Sequence, residues 1–302
     1  MSGGLQMDKA VVLGAFGFLG YSFSKALLDE GVEVTAQWVD GYIKPYIEEQ
    51  RLEIGRNANF IETEDKNWIH EERIDQKKIP VIIPVYDFYI QKTERVLFEE
   101  LDLFNMLSSL SSENFTVALL LPEQCIYEKD NSSSLVVELK QLLNEKGFSY
   151  QEIFLPTLFG PWQPAEYFFQ QLISLGKGEG FTPMLNSRES LSDAIFIDDA
   201  TSVVMELISQ RTGKYVVRSA NINNWDECLE RLCNHSVISE ICDGDYHWKK
   251  QIDKRKRVEI NIEKLVGEET EYKTVFITKP LENDKGIEKQ CEHYDYLGQS
   301  RC

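Results

Sequence analysis

The first half of the chain alternates short apolar runs with longer segments in which apolar residues recur every three or four positions. We predict strands in residues 9–15, 32–40, 57–63, 79–87, 115–127 and 149–156. Uninterrupted apolar strands separated by helices are typical of a parallel sheet that is covered on both faces. Because crossovers between parallel strands are right-handed, this order predicts an α/β fold with a doubly wound, Rossmann-type parallel sheet.

The helical segments between these runs are also marked in the sequence. Residues 18–31 predict an amphipathic helix with Gly31 at its C-terminal end, and residues 93–110 and 132–147 predict two further helices. Beyond Gly160 the alternation becomes less regular, and it returns to a strand and a helix at about 190–212. We therefore predict one domain from 8–160 and about 190–212, and a smaller domain from about 161–189 and 213–302.

Three glycines lie between the first predicted strand and the first predicted helix. Gly14, Gly17 and Gly20 form a G-x-x-G-x-x-G pattern in VVLGAFGFLG. In Rossmann proteins such glycines permit a tight turn, the approach of a diphosphate to the backbone, and close packing of helix on strand. The helix then offers free N–H groups and the positive end of its dipole to the phosphates. The pattern predicts a dinucleotide site, and a glycine-rich turn without a ligand is the alternative.

The second predicted strand ends at an acidic residue, Asp40. An acid at this place accepts hydrogen bonds from the adenosine ribose and repels the 2′-phosphate of NADP. Lys44 and Arg51 are nearby in the sequence but not beside Asp40, so NAD is favoured over NADP. The other residues predicted to contact the cofactor are Phe16, Phe18 and Leu19 in the loop and Val85 and Tyr86 at the end of the fourth strand.

Charge and composition narrow the list of partners. The 302 residues include 32 basic and 50 acidic side chains, which give a formal net charge of −18. Such a field repels nucleic acids and anionic membranes, so we expect neither as a partner.

The cysteines form no C-x-x-C pair and the histidines no H-E-x-x-H motif, so we predict reduced thiols and no metal site. We find no signal peptide or long apolar run and expect a cytoplasmic protein.

Four segments occur in an order and at spacings typical of one protein family. They are GAFGFLG at 14–20, LPTLFGPWQP at 155–164, AIFIDDATSVVMELI at 194–208 and FITKPLENDKGIEK at 276–289. Together they resemble the extended short-chain dehydrogenase/reductase family, in its NAD-dependent nucleotide-sugar epimerase/dehydratase branch. The resemblance spans about residues 9–297, and its glycine and Asp-Asp segments are the most specific parts.

The resemblance implies an architecture and a set of partners. It implies that the smaller C-terminal domain forms a cleft for a nucleotide sugar or a similar hydroxylated metabolite, with Trp162 and Gln163 where this cleft begins. In the family, the helices that match 93–110 and 132–147 pair across a dimer. Both segments here carry more apolar residues than one buried face requires, so we predict a homodimer.

The catalytic residues of the family are missing from their expected positions. Its chemistry uses a serine or threonine together with a tyrosine base and a lysine in a Y-x-x-x-K motif. Here Glu123, or its neighbour Pro122 or Gln124, falls where the hydroxyl residue belongs, and the segment from Tyr127 to Lys140 contains no Y-x-x-x-K pair. An ionised Glu123 would repel a developing alkoxide. Glu123, Tyr127 and Lys140 are the candidate catalytic residues that we name.

Two classes of function follow from this sequence. In the first, the chain is an NAD(P)-binding enzyme of the epimerase/dehydratase type with an atypical set of catalytic groups. In the second, it is a pseudoenzyme, a cofactor-binding sensor or regulatory subunit that has lost turnover. A scaffold without any cofactor is a third alternative, against which the register of the glycines and Asp40 argues. Whether the chain is an enzyme is left open by the sequence.

Overall fold

The structure is a computed structural model of the chain. It describes residues 7–37, 39, 46–64, 78–126, 131–178, 180–209, 212–221, 223–234, 248, 250–252, 254–256 and 271–299. The chain divides into two compact units, each built from separate segments of sequence. The first unit comprises 1–154 and 201–215, and the second comprises 155–200 and 216–302.

Eight strands form one sheet, and their order confirms the predicted Rossmann-type fold. The described residues contain these eight strands and two more: β1 (Lys9–Leu13), β2 (Glu33–Gln37), β3 (Phe60–Thr63), β4 (Ile79–Ile83), β5 (Phe115–Pro122), β6 (Ser149–Leu155), β7 (Thr157–Phe159), β8 (Ala194–Phe196), β9 (Gly213–Arg218) and β10 (Lys273–Phe276). The sheet has the order β3-β2-β1-β4-β5-β6-β9-β10, and β7 pairs with β8 in a separate parallel ladder. The pairs from β3 to β5 are parallel. The strand order therefore reverses between β1 and β4, which is where proteins of this topology bind ligands.

The helices follow the strands in the order that a doubly wound fold requires. They are α1 (Phe18–Asp29), α2 (Ile47–Ile54), α3 (Val85–Ile90), α4 (Leu103–Ser109), α5 (Asn131–Glu145), α6 (Phe168–Gly176), α7 (Ile197–Ile208), α8 (Asn224–Asn234) and α9 (Asn283–Gln299). Helix α1 ends as predicted, because Gly31 has a φ of +80° and turns the chain into β2. Among the residues given above, no helix has the length and apolar character that a bilayer span requires.

Two sequence expectations about helices were wrong. Residues 93–110 do not form one helix, because Asp102 has a φ of +56° and separates a π-helical turn at Val96–Glu100 from α4. Val85 and Tyr86 do not end the fourth strand, because β4 stops at Ile83 and both residues belong to α3. All six residues of α3 are buried, so the helix has no exposed polar face to reveal its period, and periodicity cannot separate such a helix from a buried strand.

The second unit has an apolar core of its own. The rings of Phe168 and Trp225 stack with their centroids 6.1 Å apart, and Trp248 meets Phe168 edge-on at 5.4 Å. Cys233 packs against this core and is disulfide-bonded, so the expectation that every cysteine is a free thiol was wrong. The buried cysteines Cys228 and Cys291 keep free thiols.

Candidate functional site

The loop between β1 and α1 has the backbone geometry that its glycines predict. Gly14 adopts a φ of +61°, a left-handed conformation that strains residues with a Cβ. The N–H of Gly17 donates to the carbonyl of Gly14 at 2.8 Å, and α1 begins at the next residue. A Cβ on Gly20 would lie 2.3 Å from the Gly14 carbonyl oxygen. Helix α1 therefore starts so close to the turn that only glycine fits at position 20.

The first amides of α1 are hydrogen-bonded to a side chain of the protein itself. The N–H of Leu19 lies 3.0 Å from both carboxylate oxygens of Asp87, and the N–H of Gly20 donates to Oδ2 at 3.0 Å. Gly17, the N-cap residue of α1, has no side chain with which to satisfy these groups. The Asp87 carboxylate does so from the first turn of α3, and its residue is fully buried.

The position of Asp87 in the fold explains how it reaches these amides. Helix α3 follows β4 directly, and β4 is the parallel neighbour of β1 on the side opposite β2. The carboxyl ends of β1 and β4 therefore open at the same edge of the sheet, at the point where the strand order reverses. A negative charge at a helix N-terminus is stabilised by the helix dipole and by the unpaired amides.

Asp87 was not among the predicted site residues, although the sequence carries a signal for it. The segment IPVIIPVYDFYI is apolar apart from its tyrosines and one acid, and that acid is Asp87. A lone carboxylate in a buried segment needs hydrogen-bond donors, and the nearest set in a Rossmann fold is the glycine loop. The inference was available only after placing residues 85–90 in a helix rather than at the end of a strand.

The residues predicted to bind the cofactor are covered by neighbouring parts of the chain. The ring of Phe88 occupies the space beside the Cα of Gly14, since a Cβ built there would lie 2.9 Å from it. The buried members of the predicted set are Gly14, Phe16, Gly17, Phe18, Leu19, Gly20, Val85 and Tyr86. Asp40, the predicted ribose ligand, lies outside the described residues. The backbone of the loop thus has the conformation of a dinucleotide-binding turn, while side chains of the protein fill the space next to it.

Arg51, one of the two cations noted near Asp40, is engaged in other contacts. Its guanidinium binds both carboxylate oxygens of Glu62, at 2.9 and 2.6 Å, and also binds Glu48 at 2.5 Å. It lies over the ring of Phe16, 5.3 Å from the ring centroid. The hydrogen bonds to Glu62 raise the pKa of Arg51 further above its usual value. Arg51 therefore bridges α2, β3 and the glycine loop.

The structure describes the surroundings of two of the three candidate catalytic residues, Glu123 and Lys140. Glu123 begins a short 3-10 helix after β5 and is 2 % exposed. The Nζ of Lys140 donates to Glu152 on β6 at 3.0 Å, and Glu152 lies 3.8 Å from the Nζ of Lys214. Tyr127 lies outside the described residues. Lys140 is therefore paired with a buried carboxylate.

Trp162 and Gln163 lie in the second unit, beside α9. Trp162 has a φ of +67° and its ring contacts His293 with centroids 4.3 Å apart. The Nε2 of Gln163 donates to the Leu158 carbonyl at 2.7 Å, while its Oε1 accepts a bond from Gln290 at 2.6 Å. The side-chain amide of Gln163 is thus used within a buried network. The backbone N–H of Trp162 donates to Nδ1 of His293 on α9 at 3.4 Å.

Among known proteins, the chain has matches in solved structures. No family model matches the chain, and no curated protein matches it. Among solved structures, UDP-glucuronic acid 4-epimerase from Bacillus cereus, in complex with UDP-glucuronic acid and NAD, is 13 % identical with a TM-score of 0.63, covering 96 % of this chain and 99 % of that one. An epimerase from Methanothermobacter thermautotrophicus is 10 % identical with a TM-score of 0.65, covering 98 % and 94 %.

A third similar structure extends the comparison to a dehydratase. The dTDP-glucose 4,6-dehydratase from Bacillus anthracis, in complex with NAD, is 13 % identical with a TM-score of 0.61, covering 96 % of this chain and 97 % of that one. At these identities the similarity establishes the fold. The chain therefore has the fold of the extended nucleotide-sugar epimerases and dehydratases, as its sequence motifs predicted.

Proposed function

We propose that this chain is a catalytically inactive protein built on the nucleotide-sugar epimerase/dehydratase fold, with a sensing or regulatory role in place of turnover. The observation that carries the proposal is the commitment of Lys140 to the buried carboxylate of Glu152. Lys140 is the candidate lysine, and no Y-x-x-x-K pair exists in the segment from Tyr127 to Lys140. Proton transfer to and from a sugar hydroxyl lacks its usual carrier.

A second group argues in the same direction. By the resemblance, Glu123 or its neighbour Pro122 or Gln124 falls where the family carries a hydroxyl residue, and Glu123 is buried directly after β5. A hydroxyl can donate a hydrogen bond to the substrate oxygen in the transition state, whereas a carboxylate can only accept one. Hydride transfer at a sugar carbon therefore loses both its proton acceptor and its orienting donor.

NAD is the cofactor that we propose for the fold, since similar structures contain it. The described arrangement of residues does not fit a bound dinucleotide, however. The amides that would hold its diphosphate donate to Asp87, and Phe88 covers Gly14. We therefore derive no reaction step through NAD, and we propose that NAD binding requires the Asp87 carboxylate to leave the loop.

The test of lost turnover is a direct assay. The purified protein is incubated with NAD and one sugar nucleotide at a time. The sugar nucleotides are UDP-glucuronic acid, UDP-glucose and dTDP-glucose, and the products are resolved by chromatography. The epimerase from Bacillus cereus serves as the matched positive control. We expect no epimerised or dehydrated product from this chain. Product formation above the level of a heat-denatured sample would refute the proposal and restore the enzyme alternative.

The homodimer and the cytoplasmic location also stay proposals. On α5, Val137 is 46 % exposed, which leaves an apolar residue at the surface of a helix predicted to pair across a dimer. Sedimentation velocity on the wild type and on Val137→Glu tests this point. We expect a dimer that the variant weakens, and a monomeric wild type would contradict the expectation.

A further inference from the structure

We infer that Asp87 is an internal ligand of the glycine loop, which takes the place of the dinucleotide diphosphate and competes with it. The inference rests on the proposed function only in taking NAD as the relevant ligand. It starts from the contacts of two amides. The N–H groups of Leu19 and Gly20 converge on one carboxylate, with all three distances at 3.0 Å.

A diphosphate and a carboxylate make the same demands on these amides. Both are oxyanions that accept short, charge-assisted bonds from N–H groups, and both are stabilised by the positive end of the helix dipole. The second and third residues of a helix carry N–H groups for which the helix itself provides no carbonyl acceptor. Here Leu19 and Gly20 are those residues, since α1 begins at Phe18. The two anions cannot occupy the amides together.

Burial makes the internal anion a strong competitor. Asp87 and Leu19 are both 0 % exposed, so water competes little for their hydrogen bonds. An intramolecular ligand loses no translational freedom when it binds, whereas NAD does. Displacing Asp87 would also leave a buried carboxylate without these donors. The wild-type loop should therefore bind a diphosphate weakly.

The shape of the loop remains compatible with a diphosphate once Asp87 is shortened. Gly14 keeps its left-handed turn and Gly17 its place at the N-cap, so the backbone that a phosphate approaches is unchanged. Asp87→Ala replaces the acidic side chain by a methyl group, which frees both amides and opens the space that the carboxylate filled. The substitution thus removes the competitor without touching a group that would contact the ligand.

The experiment compares wild type, Asp87→Ala and Asp87→Asn by isothermal titration with NAD, ADP and adenosine. We expect Asp87→Ala to bind NAD and ADP at least about tenfold more tightly than wild type, which corresponds to the loss of one charge-assisted competing bond. Asp87→Asn should fall between them, because a neutral amide of equal size holds the N–H groups less strongly. Adenosine has no phosphate, so its dissociation constant should differ between the variants by less than about twofold.

Two controls keep the outcome interpretable. Asp199→Asn removes a carboxylate that accepts the N–H of Leu281 at 2.7 Å in the second unit, and it should leave NAD affinity unchanged. Circular dichroism and thermal unfolding verify the fold of each variant, and if Asp87→Ala does not fold, Asp87→Asn supplies the comparison. Equal or weaker NAD binding in the folded Asp87 variants would overturn the inference. An equal gain with adenosine would overturn the role of the diphosphate.

The same variants separate this inference from the proposed function. If Asp87→Ala gains NAD affinity and also produces epimerised sugar, the internal-ligand inference stands and lost catalysis is refuted. If wild type binds NAD as tightly as Asp87→Ala and yields no product, lost catalysis stands and the inference fails.

Discussion

Replacing Glu189 by glutamine should remove part of the pH dependence of the free energy of unfolding. Glu189 is 1 % exposed and its Oε2 accepts the N–H of Phe168 at 3.0 Å, at the start of α6. Burial raises the pKa of Glu189 to about 8 from an ordinary value of 4.5, while the Phe168 bond and the charge of Arg255 oppose this rise. The folded protein therefore keeps the proton over a range in which the unfolded chain has lost it.

The sign of the effect follows from proton counting. Between pH 4.5 and about pH 8 the folded state binds more protons at Glu189 than the unfolded state does, so the free energy of unfolding falls as the pH rises. Each pH unit in this window costs about 1.4 kcal/mol for a fully shifted group. A shift of this size corresponds to about 3–5 kcal/mol by pH 8.

Glutamine keeps the acceptor for the Phe168 amide and removes the titration. The free energy of unfolding of Glu189→Gln should match that of the wild type at about pH 5 and exceed it by about 3–5 kcal/mol at about pH 8. Urea unfolding of both proteins at several pH values measures this difference, in which groups common to both largely cancel. A difference that stays constant with pH, or a variant that is less stable at high pH because Arg255 has lost an ionised partner, would refute the reasoning.

Further predictions concern stability at neutral pH, each measured by urea unfolding. Gly20→Ala should lose more than about 3 kcal/mol, because its Cβ would lie 2.3 Å from a carbonyl oxygen, whereas Gly298→Ala, with no atom within 4 Å, should change stability by less than about 1 kcal/mol. Similar losses in both would contradict the steric explanation. Asp87→Ala should lose about 2–4 kcal/mol by leaving two amides unpaired, and a neutral effect would argue against those bonds. Lys140→Met should lose about 1–3 kcal/mol by leaving Glu152 with a longer ion pair, and an unchanged stability would mean that Lys140 is not needed there.

The turn from β1 to α1 was predictable because glycine is required there for steric reasons. The left-handed Gly14 and the close approach at Gly20 leave no room for other residues, so spacing alone locates the turn. Gly31 marks the end of α1 in the same way. Strands β4 and β5 were predictable because both are buried on two faces and therefore read as continuous apolar runs.

The occupant of the loop was not predictable from local pattern. Asp87 and Leu19 are 68 residues apart, and nothing in the sequence near either residue specifies that they meet. The meeting depends on the strand order, which brings β1 and β4 side by side, and on α3, which has no amphipathic signal. The break at Asp102 was missed for a related reason, since one left-handed residue leaves the apolar periodicity on either side intact.

Two helices of this acidic protein obtain their N-terminal acceptor from a distant side chain. Asp87 serves α1, and Glu189 serves α6, whose N-cap residue Tyr167 makes no side-chain cap. In both cases the carboxylate is buried and the amide lies far away in sequence. A net charge of −18 thus coexists with carboxylates that act as internal ligands, and the anion-binding capacity of these helices is used within the fold.

The central claim is that one pair of amides is shared by two mutually exclusive anions. A crystal structure of Asp87→Ala grown with saturating NAD tests it most directly. The account predicts a diphosphate oxygen within hydrogen-bonding distance of the N–H groups of Leu19 and Gly20, where the Asp87 oxygens lie in the wild type. A dinucleotide bound elsewhere, or amides that hold only water at saturation, would contradict it.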